Sequence, residues 1–408
     1  VMRILVLETV HPVLARQFVR WVRPEYAGTY AEAHAAFKRA RASPDYEAHL
    51  GNLGHEVAQI FVNVEPLQRL WADEAGVTCE GEGWQWQLIT EQTRQFSPDV
   101  LYLHDLNFFD RARRAELRDV CRSRMRIVGW HFSLTRDFGA FRDLDLVLTG
   151  SSGFADLLRN AGVRAEVLHH AVEASVLSSN LEDLEGQQIE FSFAGTAGGR
   201  NSWWARRYAL IESLMRETPL EVWGTDYEAA PRSQSDRILD AVAWAGERML
   251  RCFAVPERIR RTLPVARRAV GWVSPPWLRP VSRQYAARWH PPVYGIEFVS
   301  VLRRSKITLN VHGDLPDGHA GNVRLFQATG CGACLVTDDL PGLEALFAPD
   351  SEVVTYTTAA ECAERVRFLL EHDSARAAIA AAGQARTLKD HTWHVRSQQL
   401  AGIISRIL

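Results

Sequence analysis

The sequence is short of lysine: Lys38, Lys306 and Lys389 are three among 47 basic residues, so its positive charge is carried almost wholly by arginine. No apolar run approaches the roughly 20 residues that cross a bilayer. The opening VMRILVLETVHPV lacks a basic leader and a small-residue cleavage site. The expectation is a cytoplasmic protein, with a peripheral position at the inner face of the membrane left open. The six cysteines (Cys79, Cys121, Cys252, Cys331, Cys334, Cys362) are scattered, which excludes the dense spacing of a disulfide framework and suits a reducing compartment. No His, Cys and Asp fall at zinc-binding spacing, and no internal repeat is present. With 47% hydrophobic and 24% charged residues, disorder and a fibrous class are excluded.

At 408 residues the chain exceeds the size at which a single core keeps growing, and two α/β lobes are expected. Short apolar runs ending in polar loops read as buried parallel strands: Arg3 to Glu8, Val57 to Val64, Val100 to His104, Arg126 to Phe132 and Leu144 to Ser151, then Ala165 to Val172. Helical stretches such as Ala31 to Leu50 and Arg111 to Arg122 lie between them. The polar stretch Ser178 to Gln188 reads as a linker. A second alternating series follows, with strands at Ile189 to Gly195, Leu220 to Gly224, Ile307 to Gly313, Ala333 to Asp338 and Glu352 to Tyr356, and a last helix from about Thr392. The fold class is α/β, two Rossmann-like parallel-sheet lobes facing a cleft. Domains are expected at 1–177 and 189–390, with 391–408 returning to the first lobe.

Residues 227–292 interrupt the second series as an insertion rich in Arg, Trp and Pro. Formal net charge is −2, yet residues 247–290 hold ten arginines against two glutamates, making this segment a candidate partner surface. Trp272, Trp277 and Trp289 lie among Arg279, Arg283 and Arg288. The plain reading is a helical subdomain packing its tryptophans inward; an acceptor-recognition role is the alternative.

In an open parallel sheet, ligands bind beyond the C-terminal strand ends. In the second lobe these ends are GTAGGR (Gly195 to Arg200), Val311 to Val323 and TDDLPG (Thr337 to Gly342). Gly321 permits close approach, Asn322 is placed to cap a helix from Val323, and free amides there suit a diphosphate. Gln327 falls one turn on, within reach of ribose hydroxyls. Arg324 and Arg200 would offset charge on a departing phosphate. Asn310, His312, His319 and Tyr294 complete the candidate donor contacts, with Gly195. In the first lobe His131, His11, His104 and Asp105 occupy strand ends as acid or base candidates, His131 preferred.

NVRLFQATGCGACLVTDDLPGLEALF, with EVVTY and HTWHVR (His391 to Arg396), is similar to the C-terminal lobe of GT-B glycosyltransferases of the spore-maturation-protein (CgeB-like) type. SKITLNVH, FAGTAGGR and the segment Leu146 to Val172 also fit, so the resemblance covers roughly 144–225 and 293–400. It implies a metal-independent sugar transfer from a nucleotide-sugar, a UDP-sugar first, to a hydroxyl on a glycan, lipid-linked or other acceptor in surface polysaccharide assembly, with retention weakly favoured. Related retaining enzymes carry two glutamates eight positions apart; here His319 and Gln327 stand in their place. A neutral Gln binds a hydroxyl less strongly than a carboxylate.

Cys331 and Cys334 form a CxxC between a helix end and a buried strand, the wrong place for redox chemistry. Asp143 and Asp145 spell DxD at a strand entrance and are not read as a metal site. Two other readings remain open: a nucleotide-sugar 2-epimerase, disfavoured by the loss of carboxylates at 319 and 327, and a noncatalytic nucleotide-sugar or nucleic-acid binder using the arginine-rich insertion.

Overall fold

The computed structural model describes residues 1–21, 28–42, 44–79, 81–121, 125–133, 135, 137–177, 188–231, 233–272, 274–313 and 318–408. Twelve strands form two six-stranded sheets. The first holds β1 (Arg3–Glu8), β2 (Glu56–Phe61), β3 (Val100–Leu103), β4 (Arg126–Trp130), β5 (Leu146–Thr149) and β6 (Ala165–Val167). The second holds β7 (Ile189–Gly198), β8 (Leu220–Asp226), β9 (Trp289–His290), β10 (Ser305–Asn310), β11 (Cys334–Asp338) and β12 (Val354–Tyr356). Their orders are β2-β1-β3-β4-β5-β6 and β12-β11-β10-β7-β8-β9, with every pair parallel.

These strands form where aliphatic runs can be buried on both faces, as parallel sheets require. One face of the first sheet packs Leu5, Leu101, Leu103 and Phe154 into a core; the other packs Ile4, Val6, Tyr102 and Val128 against Leu400 and Ile404. Those last two residues belong to the C-terminal helix Trp393–Ser405, so the chain's end closes the core that its beginning opens. The second sheet is sandwiched in the same way, by Phe191, Tyr208, Ile307 and Val366 on one side and Leu325, Phe326, Leu335 and Phe347 on the other.

Three features differ from the sequence reading. The helix expected from Ala31 to Leu50 is two, Tyr30–Arg41 and Tyr46–Gly51, because Ala42 turns left-handed (φ 56°) and Asp45 caps a new start at the amide of Ala48. The insertion supplies a strand, β9, which pairs with β8. It also does not bury all its tryptophans: Trp277 is 65% exposed, whereas Trp289 is half-buried and donates to the Gly224 carbonyl at 3.0 Å. The expected linker, apart from Gln188, lies outside the described residues.

Candidate functional site

Strand order reverses between β7 and β10 in the second sheet, and at such a switch point the two departing loops part and leave a crevice. Arg207, on the helix Ala205–Glu217, reaches back into it and donates to the carbonyls of Thr196 (2.9 Å) and Val311 (2.7 Å), the chain just past each strand's core. Trp204 lies beneath Arg207, whose guanidinium stands 4.3 Å from the ring centroid. The indole explains two glycines. A Cβ on Gly313 would come within 2.2 Å of the Trp204 ring, and one on Gly198 within 2.3 Å of its Cβ.

Arg324 enters the same crevice from the helix Val323–Gly330, with its Nη2 3.3 Å from where a Cβ on Gly195 would stand. Its guanidinium lies 4.1 Å from the Phe298 ring centroid, and its Nη1 is buried without an acceptor. Burial draws its pKa down to about 9, and the like charge of Arg207 acts in the same direction. The group still carries its charge at neutral pH. A desolvated cation with a buried, unpartnered donor is costly unless an anion completes it.

The loop before that helix is held from below. Asp338, at the end of β11, accepts from His312 Nδ1 at 2.6 Å and from the His312 amide at 3.0 Å; His312 Nε2 in turn accepts the Gly321 amide at 3.2 Å. This fixes the imidazole as the neutral Nδ1–H tautomer. Asn310 donates to Thr337 Oγ1 (2.9 Å) and accepts from Asn322 Nδ2 (2.8 Å). Asn322 therefore occupies the N-cap position without capping through its side chain, which leaves the helix's positive end to a ligand. Over the ends of β10, β11 and β12 opens a groove of about 660 Å³, lined by Arg206, Val311, Gly313, Asp338 and Thr357 among others. That volume suits a nucleotide-sized ligand.

The first lobe meets this loop directly. A Cβ on Gly321 would come within 2.6 Å of the Gly150 carbonyl, just past β5, and one on Gly153 within 2.3 Å of the His319 ring. His11 stacks on Tyr294, centroids 5.3 Å apart. Thus His11, Tyr294, His319 and Gly321 lie where the lobes touch, and Gly195 and Arg324 lie in the crevice.

Other candidates are placed differently. His131 does not face the cleft: only 4% exposed, its ring packs 4.7 Å from Phe141 and 5.8 Å from Phe154, and burial draws its pKa down to about 4. Strand alternation is the reason, since the preceding Trp130 projects to the opposite face, toward His170. Asp105 is consumed as a turn anchor, accepting from Thr9 Oγ1 and the amides of Asn107 and Phe108. Arg200 turns away from the crevice to Glu212 (2.9 Å) and the Arg279 carbonyl (3.2 Å), joining the insertion to the lobe. Asn310 and His312, 1% and 6% exposed, support the loop from below. Gln327 lines a void of about 20 Å³ beside Val172, Glu173 and Val299, too small for a ribose.

Asp143 and Asp145 pair with Arg114, Arg118 and Arg126, and no metal-holding cluster occurs among the described residues. Cys331 and Cys334 are free thiols that burial holds up at about 12. Arg207 was absent from the sequence candidates, as was Glu8 at the first sheet's strand end, where it lies 3.6 Å from the candidate His104. Glu8 is buried, yet its carboxyl stays below the usual range because Arg41, His104 and Gln59 outweigh that burial.

Residues 206–402 match a family model described as glycosyl transferase-like. No curated protein matches the chain. Among solved structures, HepE of Anabaena in complex with UDP-glucose aligns with a TM-score of 0.55 at 14% identity, over 100% of both chains. A glycosyltransferase from Rickettsia africae aligns with a TM-score of 0.55 at 11% identity, over 99% of this chain and 98% of that one. AviGT4, a glycosyltransferase involved in avilamycin A biosynthesis, gives 0.51 at 12% identity, over 99% and 97%. At these identities the likeness is one of fold, two parallel-sheet lobes of GT-B type.

Proposed function

We propose that this chain, which has the GT-B fold and matches a glycosyl transferase-like family over residues 206–402, is a glycosyltransferase that moves a sugar from a UDP-sugar to a hydroxyl of a glycan or lipid-linked acceptor, without a metal, in surface polysaccharide assembly. The observation that carries this reading is Arg324, a desolvated cation whose buried Nη1 has no acceptor, at the switch point beside Arg207 and an uncapped helix N-terminus. As the bond from the anomeric carbon to the diphosphate breaks, the leaving oxygen gains negative charge. Arg324, Arg207 and the helix amides are placed to stabilise it, the role a metal plays elsewhere. The nucleoside lies in the groove past Val311 and Gly313, and the acceptor approaches from the first lobe. Support for UDP comes from HepE, whose structure holds UDP-glucose. The resemblance to spore-maturation-type enzymes supports retention.

Calorimetric titration with UDP, ADP and GDP, followed by donor hydrolysis in excess chelator, tests the reading. UDP binding and slow, chelator-resistant sugar release are expected. Binding without release would leave a nucleotide-sugar binder; release only with added magnesium would end the metal-free mechanism.

A further inference from the structure

The helix Gln234–Cys252 of the insertion is built inside out. Its protein-facing side carries Asp240 and Glu247, each 2% exposed, beside Ala243 and Gly246. Asp240 accepts from Arg268 at 2.5 Å, and Glu247 pairs with Arg251 and Arg260. Its outward side carries Ile238, Leu239, Val242 and Met249, continued by Phe253, at 52% to 77% exposure. Ile238, Val242, Met249 and Phe253 recur at spacings of four and seven, which is one helical stripe. A surface helix in water normally buries its apolar stripe and exposes its charges. Here two carboxylates lie inward and a row of large apolar side chains lies outward beside exposed Arg237 and Arg248, so the outward stripe is shaped for a medium other than water.

Charge identifies that medium. The carboxylates of residues 234–283, Asp236, Asp240, Glu247 and Glu257, are each paired with arginine within the segment. Arg237, Arg248, Arg258, Arg267, Arg279 and Arg283 have no carboxylate partner among the described residues and are all exposed. Along the Arg237 side of the helix runs a groove of about 570 Å³, lined also by Trp277, Arg279 and Arg283, with Glu228 and Asp240 on its walls. Trp277 is 65% exposed there and Leu278 42%.

We propose that this surface docks on an anionic lipid bilayer. The stripe and Trp277 enter the boundary between headgroups and acyl chains while the free arginines face lipid phosphates, the division of labour of an interfacial helix. A second copy fits less well, because a two-fold contact would set each arginine-rich patch against itself. Nucleic acid would use the arginines but leave five large apolar side chains in water. The segment lies on the membrane rather than through it, since no described helix is long and apolar enough to cross. This surface is separate from the donor crevice and the inference does not depend on sugar transfer.

Flotation of the full chain with vesicles of phosphatidylcholine, alone or mixed with phosphatidylglycerol, tests it. Binding should require phosphatidylglycerol and weaken with salt. Met249→Glu with Phe253→Glu should lower the partition coefficient at least about tenfold, and Arg258→Glu with Arg267→Glu by roughly fivefold per arginine. These side chains are exposed, so the melting temperature and UDP titration of each variant should match the parent. Equal binding to neutral vesicles, no binding to either, or an unchanged M249E/F253E variant would overturn the proposal. So would sedimentation showing a parent dimer that this variant makes monomeric.

Discussion

Arg324 lies beside a second arginine in a crevice where its Nη1 finds no acceptor. Arg324→Ala removes both the charge that would meet a diphosphate and the unpaired donor. Calorimetry should show UDP affinity weakened by about 1.5–3 kcal/mol, the range for a lost charged hydrogen bond, with the melting point unchanged or raised; unchanged affinity would take Arg324 out of the site. His131 makes the opposite prediction. Its pKa and that of His391 are held down at about 4, and that of His170 at about 3, chiefly by burial. The unfolded chain protonates its histidines near pH 6.5, so between that pH and about 4 it binds more protons than the folded chain, and stability falls as pH falls. His131 Nε2 is buried without a partner, so His131→Phe should flatten this slope in melting curves across that range and leave kcat near the parent value. A large loss of kcat at an unchanged melting point would restore His131 to catalysis. Sequence pointed to Arg324 because a glycine and an N-cap residue precede it. It preferred His131 because a strand end looks alike whichever face a side chain takes, and one residue of register reverses that face.

Among the elements, the loop from Gly318 to Asn322 depends on support that only the packed sheet provides. His312 and Asn310 come from β10 and its exit, Asp338 from β11, and their order in the chain says nothing of their hydrogen bonding. Gly321→Ala places a methyl against the Gly150 carbonyl, forcing loop and first lobe apart at a cost of about 1–3 kcal/mol. The melting temperature should drop and UDP binding weaken together; an unaltered protein would show that the lobes do not close here. Arg207 escaped the sequence reading because it acts from a helix at strand ends distant in the chain. The polarity of the helix Gln234–Cys252 escaped it too, for periodicity reports that two faces differ, not which is turned inward.

At the scale of the whole molecule, the helix Trp393–Ser405 packs in one core with Ile4 and Val6 of β1. Trp393, Leu400, Ile403 and Ile404 of the last helix are buried in the core of the first sheet, each contributing roughly 1.5–3 kcal/mol by burial. Their sum rivals the 5–15 kcal/mol that typically holds a domain folded. Truncation after Asp390 should therefore unfold the first lobe while the second keeps its own core, seen as rapid proteolysis confined to residues before about 177; a truncated chain melting at the parent temperature would refute the dependence. The alternation of apolar runs and helices by itself determined two parallel sheets, the place where the rhythm breaks for an insertion, and the glycine-rich loop before Arg324, because strand burial and loop chemistry are local properties of sequence. Only the tertiary structure decided that Arg207 joins Arg324, that His312 and Asn310 prop the loop while Arg200 ties down the insertion, and that Gln327 lines a void too small for a ribose. Those roles depend on which groups distant in the chain become neighbours, and partners are chosen by packing.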